Sequence, residues 1–170
     1  MLPFAAMFGY SVSVIHIYGI NPYILPVTAE FGWTRAQFTG AFTFAILIQA
    51  VFAVPVGILV DRFGSRKLGL AGVILLCLGF TLLSQATDSL TRWYMIWGLL
   101  TFAALPVQAT IWTGAVASRF TASRGMALAL TLCGASIAQF AFPPLATYLI
   151  EAQGWRNAFV GHGLIWLAVV

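Results

Sequence analysis

Long apolar stretches alternate with short polar ones along the whole chain. The predicted spans cover residues 2–27, 36–60, 68–86, 93–117, 125–150 and 158–170. The first five each exceed the roughly 18 residues that a membrane-spanning helix needs. The apolar runs are continuous rather than alternating at every second residue, so the pattern predicts an all-α integral membrane protein.

The sixth apolar stretch is shorter than the others. Residues 158–170 would cover about 20 Å of a hydrocarbon core that is roughly 30 Å thick. The sequence therefore predicts a single transmembrane domain, residues 1–170, whose sixth helix is truncated and which is a fragment of a longer protein.

Composition supports a membrane protein. Hydrophobic residues make up 61% of the chain and charged residues 7%, against about 25% charged residues in soluble proteins. The net charge of +4 comes from loop residues, and no basic patch interleaves with aromatic residues as nucleic-acid binding would require. The two cysteines lie inside apolar stretches, where small buried core residues are the default. The sequence predicts no cofactor and no metal site.

The densest cluster of charge lies in residues 57–67, between the second and third apolar stretches. It contains Gly57, Asp61, Arg62, Gly64, Arg66 and Lys67. We predict a very short loop in which Gly64 permits a tight reversal and the three cations lie among lipid headgroups. Asp61 stands at the last turn of the preceding helix, where a negative charge is unfavourable, so we expect it to pair with a cation or with the N-terminus of another helix.

The distribution of cations predicts the orientation in the cell membrane. Loops two and four carry Arg62, Arg66, Lys67, Arg119 and Arg124. Loops one, three and five carry Arg35, Arg92 and Arg156, offset by Glu30, Asp88 and Glu151. Because an excess of Lys and Arg marks cytoplasmic loops, loops two and four and the N-terminus are predicted to be cytoplasmic.

A shift of 90 residues reveals an internal repeat. It aligns Gln49 with Gln139, Phe52 with Phe142, Leu59 with Leu149, Asp61 with Glu151, Gly64 with Gly154 and Arg66 with Arg156. The acid-x-x-Gly-x-Arg turn therefore occurs twice, three spans apart, which places the copies on opposite sides of the membrane. Such a pattern predicts inverted three-helix repeats.

The pattern Gly-x-x-x-Asp-Arg-x-Gly-x-Arg-Lys in residues 57–67 resembles the loop signature between the second and third helices of the major facilitator superfamily. Four further stretches, at residues 30–35, 124–127, 143–144 and 154–159, are similar to its monocarboxylate-porter and oxalate/formate-type branch. The resemblance implies the N-terminal six-helix bundle of a twelve-helix fold, with the C-terminal half of the same protein as its partner. It also implies secondary transport of a small solute, such as a monocarboxylate or another organic anion, by alternating access. A co-transported proton or an exchanged anion is a further implied partner.

Several positions depart from the family pattern. Ser65 stands where Arg is common, the fourth span has no Arg before Gly98, and the first span has no Lys. The fifth span lacks the Gly-Pro signature of antiporter-type members. Proton coupling and substrate charge therefore stay open.

Polar residues inside the spans are the candidates for a substrate or proton site: His16, Asn21, Gln108, Thr113 and Gln139. We take His16 to be the only ionisable side chain well inside a span, which marks it as a functional candidate; the alternative is a neutral histidine bonded to a neighbouring helix. The resemblance places Gln108, Thr113 and Gln139 around an aqueous cavity, while interhelical hydrogen bonding explains them equally well.

Two further features concern helix packing and closure. Ala41, Ala45, Gln49, Ala53 and Gly57 recur at four-residue spacing, which favours close approach of another helix over substrate contact. Asp61 is predicted to close the cytoplasmic side by pairing with Arg119 or with a helix of the C-terminal half, and Arg124 is a second possible gating partner.

Other functions remain as alternatives. The same fold serves transporters of other substrates, such as sugars, drugs or metabolites, and a non-transporting membrane subunit would share it; solute-dependent flux separates the latter from a transporter. An intramembrane enzyme would need a catalytic pair or metal-ligand cluster inside the spans. No Asp or Glu lies within a predicted span, so the sequence predicts that the protein is not an enzyme.

Overall fold

The computed structural model describes residues 2–120 and 123–169, with side chains throughout these ranges except at positions 2, 65, 66 and 169. The α-helices are α1 (Leu2–Ser13), α2 (Ile15–Tyr18), α3 (Ile24–Phe31), α4 (Arg35–Phe63), α5 (Ser65–Leu82), α6 (Leu90–Ala104), α7 (Ala109–Ala117) and α8 (Arg124–Val169). Short 3₁₀ turns occupy Asn21–Tyr23, Leu83–Gln85 and Leu105–Val107. The described part of the chain contains no strand.

The first span is a bent helix rather than a straight one. Val14 leaves helical geometry with φ −102° and ψ 13°, and the two halves of the span meet at 41°. Pro22 does not end the span, because it lies at the start of a 3₁₀ turn, where its missing N–H is tolerated. The helix then resumes and runs to Phe31, beyond the predicted end at residue 27, and stops at Gly32 with φ +66°.

The fourth span is broken at a turn that contains proline. α6 ends at Ala104, the turn Leu105–Val107 contains Pro106, and Gln108 is extended with φ −57° and ψ 157° before α7 begins. A proline inside an apolar helix removes a backbone hydrogen bond and displaces the preceding turn, which accounts for the break. The break therefore places Gln108 between two helical segments.

Two glycines connect consecutive helices without any loop. Gly64, with φ +89° and ψ 135°, separates α4 from α5. Gly154, with φ +79° and ψ 159°, divides α8 into segments 124–153 and 155–169, which we call the fifth and sixth segments. In each case a single residue, in a positive-φ conformation that favours glycine, reverses the chain. The predicted loops at residues 61–67 and 151–157 were therefore too long. The 90-residue repeat thus aligns two turns of closely similar backbone geometry.

The helices pack into one bundle. The first span lies along the fifth segment, α5 packs against α6 and α8, and α4 packs against α6. Tyr23, Phe80 and Phe159 form the centre of the core, with Tyr23 stacked on Phe159 at a centroid distance of 3.8 Å. Within residues 2–120 and 123–169, four helices are long and apolar enough to cross a membrane, or five if the bent first pair counts as one span. The longest of these contains the Gly154 reversal.

Helix α4 is buried mainly in its first half, with Val60 as a further buried residue near its end. Ala41 and Ala45 are buried against the fourth span, where the indole Nε1 of Trp93 donates to the carbonyl oxygen of Phe38 at 3.2 Å. Ala53 and Gly57 continue the same row of small residues but are exposed. The predicted close approach of a helix thus holds for the first half of the row only, within the described part of the chain.

Candidate functional site

A cleft of about 580 Å³ opens where α4 and the fourth span diverge. Its walls combine small and apolar residues with a few polar ones: Gln49, Ala53, Val56, Gly57, Val60, Asp61, Gly64, Leu105, Gln108, Thr110, Ile111, Gly114, Ala115 and Ser118. The small side chains at positions 53, 57, 114 and 115 leave the space between the two helices unfilled. At the end of the bundle that contains Gly64, which we call the Gly64 end, the exposed residues Asp61 and Gly64 line the cleft and form its mouth.

The inner limit of the cleft is a hydrogen bond between two amides. Nε2 of Gln108 donates to Oε1 of Gln49 at 3.1 Å. Gln49 lies near the middle of α4, and Gln108 lies at the break in the fourth span. Gln108 lies at the break and not within a helix. Its side chain contacts α4 at the point where the two spans separate.

The mouth of the cleft carries charge. Asp61 is exposed there, and Arg62 and Lys67 are exposed nearby, with the Arg62 guanidinium 5.8 Å from the ring centroid of Phe63. The structure does not pair Asp61 with Arg119: among the described side chains, the one ion pair joins Arg156 to Glu30. The side chain of Arg66 lies outside the described residues, and Arg119 and Arg124 are exposed.

The five predicted site residues do not converge. Gln108 alone among them lines the cleft. The Thr113 hydroxyl donates to the carbonyl oxygen of Ala109 at 2.9 Å, within its own helix. Asn21 and Gln139 are exposed elsewhere, and His16 is buried with an Nδ1 atom that has no hydrogen-bond partner among the described residues.

A second histidine lies inside a span, contrary to the expectation that His16 is the only one. His162 is fully buried in the sixth segment, and its Nδ1 lies 3.4 Å from the Tyr23 hydroxyl. The rings of Phe80 and Phe142 pack edge-on against it. The sequence contained this signal, since His162 stands within the last apolar stretch.

The opposite end of the bundle, which we call the Gly154 end, is held by a polar clasp that the sequence did not predict. Trp155 Nε1 donates to one carboxylate oxygen of Glu30 at 2.6 Å, and Arg156 Nη1 donates to the other at 2.6 Å. Arg156 also donates to the carbonyl oxygen of Ala86 at 3.5 Å. The clasp therefore connects the first span, the residues after α5 and the sixth segment.

Aromatic rings surround this clasp. The Arg156 guanidinium lies 4.2 Å from the centroid of Trp155 and 5.7 Å from that of Phe31, and Trp33 Nε1 donates to the carbonyl oxygen of Asp88 at 3.1 Å. Two stretches that carry the branch resemblance, residues 30–35 and 154–159, thus meet in space. In residues 2–120 and 123–169, no three His, Cys, Asp or Glu side chains lie close enough together to hold a metal ion.

The chain matches the family model described as Major Facilitator Superfamily over residues 6–170. It therefore belongs to this superfamily, as the loop signature predicted, and it is a multi-pass membrane protein.

Relatives confirm the branch. Monocarboxylate transporter 13 of Bos taurus is 32% identical over 157 residues, which cover 92% of this chain and 35% of the relative. Monocarboxylate transporter 2 of Homo sapiens is 29% identical over 129 residues, covering 75% and 27% respectively. The oxalate:formate antiporter of Oxalobacter formigenes is 28% identical over 148 residues, covering 87% and 35%. The chain thus spans about a third of the length of the curated relatives it matches.

Proposed function

We propose that this chain is the N-terminal half of a secondary transporter that moves a small organic anion, such as a monocarboxylate, across the cell membrane by alternating access. The observation that carries the proposal is the cleft between α4 and the fourth span, which is lined by an amide pair at the middle of α4 and at the break in the fourth span. Transporters of this type bind their substrates near the bilayer midplane, often where helices are discontinuous. The break at residues 105–108 is such a discontinuity.

The exposed face of α4 supports the presence of a second half. Leu47, Val51, Val54 and Ile58 are each more than 60% exposed, and at 3.6 residues per turn they lie on roughly the opposite side of α4 from the cleft residues Gln49, Ala53 and Val60. We propose that the C-terminal half covers part of this face and that lipid covers the rest.

The Gly64 end is proposed to be cytoplasmic. The cations of loops two and four support this orientation, since positive charge accumulates in cytoplasmic loops. Asp61 would then stand at the cytoplasmic mouth of the cleft. We propose that a cation or a helix N-terminus of the C-terminal half approaches Asp61 when this mouth closes, because a carboxylate at the C-terminal end of its own helix favours such a partner.

The test is uptake of radiolabelled propionate into liposomes containing the full-length transporter, with and without a proton gradient. Gradient-driven accumulation supports a proton-linked porter, and uptake only in exchange for preloaded carboxylate supports an antiporter. Absence of carboxylate flux with folded protein would contradict the proposed substrate class. Uptake of a sugar or a drug under the same conditions would favour another solute class of the superfamily, and no solute flux at all would favour a non-transporting subunit.

A further inference from the structure

We propose that Trp112 is a positioning residue of the transport path. Its indole ring ties α7, which forms the wall of the cleft on the fourth span, to the bend in the first span and so sets the width of the cleft. Trp112 is not among the residues that line the cleft, so its effect on the cleft acts through α7. The relevance of this role to transport rests on the proposed function, whereas the contacts that assign it do not.

Helix α7 has two faces with different contacts. Its cleft-lining residues are Thr110, Ile111, Gly114 and Ala115. At about 100° per residue, these four lie within an arc of about 140°, and Trp112 and Val116 lie on the opposite side of the helix. Val116 is buried there in the small cluster with Ala6 of α1. The back of α7 therefore packs on the first span, while its front forms the cleft wall.

One N–H group of Trp112 contacts both irregular points of the two spans. Nε1 donates to Oγ of Ser13 at 3.0 Å and to the carbonyl oxygen of Val107 at 3.1 Å, a hydrogen bond shared between two acceptors. Ser13 directly precedes Val14, where the first span bends. Val107 directly precedes Gln108, where the fourth span is broken. The indole thus connects the bend to the break.

The two acceptors depend on the irregular backbone around them. The N–H of Ile111 donates to the carbonyl oxygen of Gln108 at 3.0 Å, so the carbonyl group of Val107 does not receive the bond that a continuous helix would give it. The hydroxyl group of Ser13 donates to the carbonyl oxygen of Gly9 at 2.7 Å, a type of bond that bends helices, and its oxygen still accepts from the indole. Straightening either span would displace one acceptor and break the shared bond.

The indole ring also has little room to move. A Cβ atom at Gly9 of α1 would overlap the six-membered ring of Trp112, and a Cβ atom at Gly69 of α5 would lie 3.9 Å from it. Both helices pack against α7. The ring therefore fills a groove between α1 and α5, and its packing and its hydrogen bonds hold α7 in the same place.

Loss of this attachment should narrow the cleft. Val56 of α4 and Ile111 of α7 contribute apolar surface to the cleft from different helices. Movement of α7 towards α4 would bring these surfaces together and remove them from water, which is favourable. Trp112 opposes this movement because it holds the back of α7 on the first span.

The reactivity of a cysteine in the cleft tests the proposal. Ala53 lies on the α4 wall, so Ala53→Cys is introduced into a full-length transporter without other reactive cysteines, and its rate of reaction with a small water-soluble maleimide is measured on folded protein. Trp112→Phe keeps an aromatic ring but removes the N–H, and it should slow the reaction about fivefold, the equivalent of about 1 kcal/mol. Trp93→Phe loses a similar bond in the same span, to the carbonyl oxygen of Phe38, and should leave the rate unchanged.

A double substitution tests whether the effect passes through the shared bond. Ser13→Ala removes the acceptor on the first span and should also slow the reaction, but it should add nothing in the Trp112→Phe background, because both changes remove the same contact. Ser11→Ala is the matched control: its hydroxyl group bonds within its own helix, to the carbonyl oxygen of Phe8 at 2.7 Å, and the rate should not change.

Three results would overturn the proposal: an unchanged or faster reaction in Trp112→Phe, an equal decrease in Trp93→Phe, or additive effects of Ser13→Ala and Trp112→Phe. The reaction needs no transported solute, so it is independent of the uptake assay. The expected pattern of rates without any solute flux would contradict the proposed function and leave this inference standing. Propionate uptake with unchanged rates in Trp112→Phe would overturn the inference and leave transport standing.

Discussion

The two ends of the bundle contain the same type of backbone reversal, but the contacts made by the residues around it differ. At the Gly154 end, Trp155 and Arg156 bind the carboxylate of Glu30 directly after the reversal. At the Gly64 end, Asp61, Arg62 and Lys67 are all exposed, and no ion pair forms among the described side chains there. One end is held by contacts within this chain, whereas the charges of the other are free for contacts outside it.

The internal repeat explains why the ends differ. The 90-residue shift that aligns Gly64 with Gly154 carries Glu30 to Phe120. Phe120 is half-buried and packs beside the small apolar cluster of Ala6, Val116 and Ala127. The Gly64 end therefore has no carboxylate at the position that anchors Arg156 at the other end. Similar turns thus carry a polar clasp at one end and exposed charges at the other, where we propose that the C-terminal half makes contact.

The largest expected effect is a loss of transport caused by a substitution at the Gly64 end. Asp61→Asn should reduce propionate uptake per folded molecule by about tenfold or more, the equivalent of roughly 1.4 kcal/mol or more, because the closed cytoplasmic state loses its charge partner. Its thermal unfolding should not change. Glu151→Gln removes the exposed acid at the equivalent position of the repeat, and normal uptake by this control is expected. Wild-type uptake by Asp61→Asn would remove Asp61 from the gate.

Next in size is the backbone effect at the two reversals. Gly64→Ala and Gly154→Ala should each lower the free energy of unfolding by about 1–3 kcal/mol, because a side chain at positive φ is strained. Neither position has an atom within 4 Å of the added Cβ, so the effect is one of backbone conformation. Gly125→Ala, which has equally open space and no positive φ, is the control for equilibrium unfolding in detergent. A loss at Gly125 as large as at the two reversals would contradict this account.

The clasp should contribute less. Arg156→Ala is expected to lower the free energy of unfolding by about 1 kcal/mol, since both partners of the ion pair are nearly half exposed and the ring contacts add only a fraction more. Thermal unfolding is compared with Arg92→Ala, an exposed arginine outside the described ion pair. Equal stability of these two variants would mean that the clasp stabilises nothing.

The smallest effect is expected from Glu30→Gln. The amide oxygen can still accept from Trp155, so only the charge is lost and the expected decrease in stability is about 0.5 kcal/mol. High salt should reduce the difference between wild type and variant, because it screens an exposed ion pair. A difference that is insensitive to salt would show that the charge is not the cause.

The sequence predicted the all-helical membrane fold because that depends on one local property, the presence of long apolar runs. It predicted the tight reversal at Gly64. It did not predict that one residue suffices there or that Gly154 reverses the chain in the same way, because the length of a junction depends on backbone conformation and not on polarity. The bend at Val14 had no sequence signal either, since valine is compatible with a helix. Pro22 and Pro106 marked irregular regions, but whether the chain ends or resumes there depends on packing.

The candidate site was predicted in part. Gln108 was identified from its polarity inside a span, whereas its partner Gln49 was assigned to packing because it belongs to a row of small residues. Their contact depends on the break at residues 105–108, which brings together residues that are 59 positions apart. The clasp joins residues 126 positions apart, so no local pattern reveals it, although the repeated Gly-Trp and Arg residues of loops one and five marked its components.

The most direct test of the difference between the two ends measures propionate uptake and thermal unfolding on the same preparations of Asp61→Asn and Arg156→Ala. Asp61→Asn should lose uptake per folded molecule at unchanged stability, whereas Arg156→Ala should lose stability and keep its uptake per folded molecule. Two results would contradict the account: Arg156→Ala abolishes uptake while Asp61→Asn merely destabilises the protein, or both variants lose uptake equally. Either would show that the Gly154 end and the Gly64 end do not differ in the proposed way.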